Sequence, residues 1–195
     1  MFVYKFISAF FISSLLAVSA HAQPKGQWKE LLPMPSKRTE VAVAVLDNNI
    51  YVVGGFTQKG IADQVETWNS ESGKWSNIPP LPRPIHHTTV SAINGKLYVI
   101  GGFVSGMWTP VNTTYEYDPK KQQWTEKTRM PTKRGALAAA VIGGKIYVVG
   151  GANRKIFNLV NTPALEMYDL IKDTWKKLAP LPTPRDHLTA SSFDE

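Results

Sequence analysis

The sequence predicts an all-β fold of repeated four-stranded antiparallel blades, and three observations carry that prediction. Trp28, Trp75, Trp124 and Trp175 recur at intervals of 47, 49 and 51 residues. Glycine pairs follow the first three of them in phase, as Gly54-Gly55, Gly101-Gly102 and Gly150-Gly151. No window holds a 3.6-residue apolar period long enough for a helix. Self-similarity at a period near fifty residues marks a repeat architecture rather than one ordinary globular core.

Residues 1–22 read as a secretory signal peptide that stands outside this fold. Lys5 supplies the positive charge, and residues 6–18 are apolar apart from Ser8, Ser13 and Ser14. Ala20 and Ala22 place small residues at the −3 and −1 positions of a cut before Gln23. The apolar stretch is short for a transmembrane span, so cleavage should leave no stable membrane insertion. The short h-region and small-residue site fit a bacterial exported protein, placed in the periplasm or secreted. Loss of Lys5 lowers the net charge from +7 to +6. Cysteine is absent, so an exported chain of this kind must be stabilised by packing rather than by disulfides. A basic balance by itself is weak grounds for nucleic acid, and export argues further against that partner.

Each repeat then divides into four short segments. Segment A covers 41–46, 88–93 and 137–142, and segment B covers 50–53, 97–100 and 146–149. The intervening Asp47-Asn48-Asn49, Asn94-Gly95-Lys96 and Gly143-Gly144-Lys145 tolerate positive φ and close tight hairpins. Segment C ends in Trp68, Tyr117 or Tyr168, followed by Asn69, Asp118 or Asp169. Segment D carries the recurring tryptophan. Segment B is almost wholly apolar, as expected of a strand buried on both faces. The glycine pairs fall where backbone should crowd backbone. Four strands joined by tight turns make one blade of a β-propeller.

Val-Val-Gly-Gly, the Tyr-Asp closing segment C, the tryptophan of segment D and the Leu-Pro-x-Pro-Arg of residues 181–185 together resemble the kelch repeat. The resemblance covers residues 28–193 and implies a kelch-type β-propeller. The repeats fall at about 28–74, 75–123 and 124–174, with a partial repeat at 175–195. A lone D strand at 28–32, three full blades and one further A strand near Phe193 give about three and a half blades. Propellers close with about 4–8 blades. The chain is therefore expected to be part of a larger propeller, or to associate through its open blade edges, for example as a dimer.

The widening of the period lies between the glycine pair and segment C, at 56–64, 103–113 and 152–164. Insertions confined to one loop point to the face that meets a partner. In an antiparallel meander the D–A and B–C connections share one mouth. Nine of the 21 Lys and Arg beyond the leader fall on those connections, whereas the acids there are few, chiefly Asp63 and Asp186. The candidate ligand-binding residues are Lys59, Arg83, His86, Phe103, Trp108, Arg134, Arg154 and Arg185. Guanidinium groups suit carboxylate or sulfate, and the aromatics suit a sugar ring or an apolar stretch. Arg38, Arg134 and Arg185 recur in phase, which also fits a structural role between blades.

No nucleophile motif, phosphate loop or metal spacing stands out, and no cofactor is expected. His86 and His87 are adjacent at the start of a strand, so their side chains should face apart. The same holds for Asp186 and His187. Asn112-Thr113-Thr114 matches an N-glycosylation acceptor. Two function classes follow. The first is a non-enzymatic kelch binding module for a protein or anionic glycan. The second is a carbohydrate isomerase, since bacterial periplasmic kelch propellers that interconvert sialic acid anomers are similar in architecture.

Overall fold

The computed structural model describes residues 26–105, 108–156 and 158–193. The signal peptide expected at 1–22 lies outside the described residues. The chain divides into two units, Met1–Glu30 and Leu31–Glu195. The described part of the first, 26–30, carries no strand and is exposed.

The second unit contains three four-stranded antiparallel blades. Blade one is β1 (Ala42–Leu46), β2 (Asn49–Val53), β5 (Val65–Asn69) and β6 (Lys74–Ile78). Blade two is β7 (Thr89–Ile93), β8 (Lys96–Ile100), β11 (Thr114–Asp118) and β12 (Gln123–Lys127). Blade three is β13 (Ala138–Ile142), β14 (Lys145–Val149), β17 (Leu165–Asp169) and β18 (Thr174–Lys177). No helix among the described residues is long and apolar enough to cross a membrane.

The strands fall on segments A to D within a residue or two. Asn94-Gly95 and Gly143-Gly144 close their hairpins with positive φ at both positions (52° and 72°, 55° and 74°), as a type I′ turn requires. β8 shows why segment B has no polar face. Leu97 and Val99 enter the core between blades one and two, whereas Tyr98 and Ile100 enter the core between blades two and three. All four are at most 3% exposed. Full burial of each such side chain contributes about 1.5–3 kcal/mol.

The B–C connections are not loops, as expected from sequence, but inserted hairpins. β3 (Phe56–Thr57) pairs with β4 (Gly60–Ile61), β9 (Phe103–Val104) with β10 (Thr109–Pro110), and β15 (Ala152–Lys155) with β16 (Asn158–Asn161). The extra residues lengthen a ribbon, so the blade register survives the drift in period. Among the described residues, the expected D strand at 28–32 and A strand near Phe193 are not formed, and neither segment pairs with a neighbouring strand.

The repeated residues hold blade to blade. The Nε1 of Trp75, Trp124 and Trp175 donates to the carbonyls of Leu32, Pro79 and Thr128 at 3.0, 2.9 and 2.8 Å. Each acceptor lies four residues after the preceding tryptophan in the series. The glycine pairs fill a second joint. A Cβ on Gly101 would sit 2.7 Å from the carbonyl of Arg134 in the next repeat, and one on Gly102 would sit 2.9 Å from the carbonyl of His86 in its own.

Candidate functional site

The segment leading into each A strand crosses the hairpin of the same repeat. Thr39 bridges to Phe56, His86 to Phe103 and Gly135 to Ala152. The D–A and B–C connections thus share one face. One residue further along, Glu40, His87, Ala136 and His187 occupy equivalent places with φ of 54°, 51°, 52° and 47°. Each links to its predecessor through the backbone. The N–H of His87 donates to Glu40 at 3.2 Å, that of Ala136 to His87 at 2.8 Å, and that of His187 to Ala136 at 2.9 Å. The left-handed backbone at these positions breaks strand alternation and turns their side chains into a common space.

That geometry corrects the sequence expectation for the histidines. His86 and His87 do not face apart, because φ of 51° at His87 is incompatible with an extended strand. Their Nδ1 atoms lie 2.6 Å apart in a buried hydrogen bond. One ring must donate and the other accept, so both cannot be protonated. Burial, then the neighbouring His87, pushes His86 down to about 4, with the backbone of Ser105, as an acceptor for the ring, opposing this. Burial also lowers His87, against the opposing charge of Glu40. Asp186 and His187 also converge, with His187 Nδ1 3.4 Å from Asp186 Oδ2.

The aromatic candidates assemble around this pair. Phe103 and His86 are wholly buried, so neither presents a face to a solvent-borne ligand. Trp108 is half-buried and packs against them edge-on or tilted, with ring centroids 4.6 Å from His87, 5.3 Å from His86 and 5.4 Å from Phe103. Phe56 closes the cluster 4.1 Å from His86.

The basic candidates separate into two groups. Arg134 is not at a ligand surface: its side chain is 0% exposed, donates to the carbonyls of Gly150, Ala164 and Val148, and forms an ion pair with Glu166 Oε2 at 3.1 Å. Burial lowers its pKa to about 10, and Glu166 opposes that shift. Arg38 does the same in blade one with Gly54, Gln64, Val52 and Glu66. Arg38 and Arg134 thus take the structural alternative that their in-phase recurrence had left open. Lys59, Arg83 and Arg185 are exposed, and Arg154 is half-buried on β15, its Nε donating to the carbonyl of Ile156. Arg83 edges an open groove of about 540 Å³ lined by Phe56, Gly60, Ile61, Pro84, Val104 and Ser105. Asn112 of the acceptor motif is partly buried, and its amide donates to the Met130 carbonyl at 2.8 Å.

Glu40 is the residue that the sequence search missed. Its Oε2 lies 3.0 Å from His87 Nε2. Counting two places past Arg38 in one repeat and past Arg185 in another would have aligned Glu40 with His187.

The comparisons agree with this architecture. The solved structure titled "Structure of YjhT" superimposes with a TM-score of 0.70 at 21% sequence identity, covering 82% of this chain and 57% of that one. The chain therefore spans a little over half the length of that neighbour, and the likeness speaks for the fold alone. No curated protein matches the chain. A family model described as the KLHDC2/KLHL20/DRC7 Kelch-repeats domain matches residues 25–195. With that match over most of its length and three blades in phase, the chain belongs to the kelch-repeat family and forms part of a β-propeller.

Proposed function

We propose that this chain is an exported kelch binding module whose hairpin face engages an anionic partner, either an acidic protein surface or a carboxylated or sulfated glycan. Kelch repeats in general mediate protein–protein interaction. The observation that carries the anionic preference is the groove beside Arg83. Its floor is apolar, from Phe56, Ile61, Pro84 and Val104, and one exposed guanidinium stands at its edge. Lys59, at the tip of the neighbouring hairpin, adds a second positive charge. Such a site takes a ligand with an apolar face and a carboxylate or sulfate.

Binding tests on a glycan array and on immobilised acidic peptides separate the two partner classes. Arg83→Ala should weaken whichever ligand binds by about tenfold or more, the loss of a charge-assisted hydrogen bond. Unchanged affinity in Arg83→Ala would defeat the proposal. Export is tested separately: periplasmic material should begin at Gln23 by mass spectrometry.

A second reading has one specific observation in its favour. Glu40, His87, Asp186 and His187 converge, which gives a sugar-acting isomerase the acid/base groups that the mouth otherwise lacks. Exchange spectroscopy on the anomers of N-acetylneuraminate decides it. Acceleration by the wild-type chain that His187→Ala abolishes would support an enzyme, and no acceleration would leave the binding module.

A further inference from the structure

We propose that Glu40, His87 and His187 form a binding site for a divalent transition ion of the zinc type. One carboxylate oxygen of Glu40 and one ring nitrogen from each histidine lie within 4.8 Å of one another. The three residues are the first, second and fourth members of a four-member backbone ladder, and the third is Ala136. Its methyl group leaves open the space through which His187 reaches His87, with ring centroids 5.0 Å apart.

The donor chemistry suits such an ion. Two imidazoles and a carboxylate, with a fourth position left for water, is a ligand set that zinc accepts. An ion about 2.0–2.1 Å from each donor in tetrahedral geometry holds the donors about 3.3 Å apart. The His87–Glu40 pair already meets that spacing at 3.0 Å. Glu40 and His187 have side chains 44% and 52% exposed, so both have room to close the remaining gap.

Two further observations point to a ligand. His87 is 2% exposed in its side chain, yet its Nε2 makes no hydrogen bond, although Glu40 Oε2 lies 3.0 Å away. A buried polar nitrogen without a hydrogen bond costs about 1–3 kcal/mol, and coordination would relieve it. The partners around the ligands also match what orients metal-bound imidazoles. His87 Nδ1 is held by His86 Nδ1 at 2.6 Å, and Asp186 Oδ2 faces His187 Nδ1 at 3.4 Å. Second contacts of this kind fix ring orientation and tautomer at metal centres.

The test uses the full mature chain, free of any affinity tag and stripped with chelator. Calorimetric titration with zinc chloride should show one saturable equivalent. Cobalt chloride should give the visible absorption bands of a low-symmetry four-coordinate site. His187→Ala and Glu40→Gln, both at exposed side chains, should each weaken zinc binding at least tenfold while far-ultraviolet circular dichroism stays unchanged. If His187→Ala does not fold, Glu40→Gln alone decides. Wild-type chain without a stoichiometric equivalent, or affinity unchanged in a folded variant, overturns the site. Neither result bears on Arg83, so the proposed anionic groove stands or falls separately.

Discussion

Gly135 shows how far one residue can be constrained by a neighbour distant in sequence. A Cβ at this position would lie 2.3 Å from two carbons of the Phe103 ring. Its backbone is not in the left-handed region, so the restriction is purely steric. Gly135→Ala should therefore lower stability by about 1–3 kcal/mol in urea unfolding, the usual effect of overpacking. Gly26, with nothing within 4 Å of its would-be Cβ, is the control, and alanine there should leave the midpoint unchanged. Equal midpoints for the two variants would show that Phe103 moves aside freely.

Within the blades, an ion pair and an apolar pair solve the same packing problem. Blades one and three bury Arg38 with Glu66 and Arg134 with Glu166. At the equivalent places blade two has Ile85 and Tyr115, both buried in one core cluster. Removing one charge strands the other, so Arg134→Ile should cost about 3–5 kcal/mol. The double change Arg134→Ile with Glu166→Tyr copies the pair of blade two and should recover most of that loss. Denaturant titration of the single and double variants reads the coupling directly, and additive losses would refute the equivalence. Blade two has its own polar link, in which Lys96 Nζ and Tyr98 Oη each donate to Glu116 at 2.6 Å. Burial pushes the Glu116 carboxyl up, but these two bonds outweigh it and hold the group below its ordinary 4.5. The sign is that of a depressed acid: the stabilisation is complete above 4.5 and is lost as pH falls through the lower folded value. Unfolding free energy measured from pH 6 downward should fall more steeply for wild type than for Glu116→Gln.

At the scale of the molecule, blade one leaves an apolar strand face open. Val43 and Val45 on β1 are 54% and 61% exposed. The matching face of β7, through Val90 and Ala92, packs into the core shared with blade one. Apolar strands left open in this way favour association. Sedimentation velocity should show concentration-dependent self-association, and Val43→Lys with Val45→Lys should suppress it. A wild-type chain that stays monomeric over the same range would exclude this face as an interface.

The strand segments, their turns and the kelch identity were legible in the chain because each repeat states the same requirements in phase. A B strand buried on both faces must be apolar, a type I′ turn must tolerate positive φ, and a crowded joint must be glycine. Recurrence left Arg38, Arg134 and Arg185 open to a structural or a ligand role; burial makes Arg38 and Arg134 structural, whereas Arg185 is exposed. The hairpins inserted between B and C were not legible, since they differ in length and composition from repeat to repeat. Nor was the cluster of Glu40, His87 and His187. Those residues lie 47 and 100 positions apart, and only the blade-to-blade ladder with its left-handed backbone brings them together. Local chemistry determined the repeating unit, because hydrophobic period and turn preference act over a few residues. The stacking of one unit on the next decided which side chains meet at the centre.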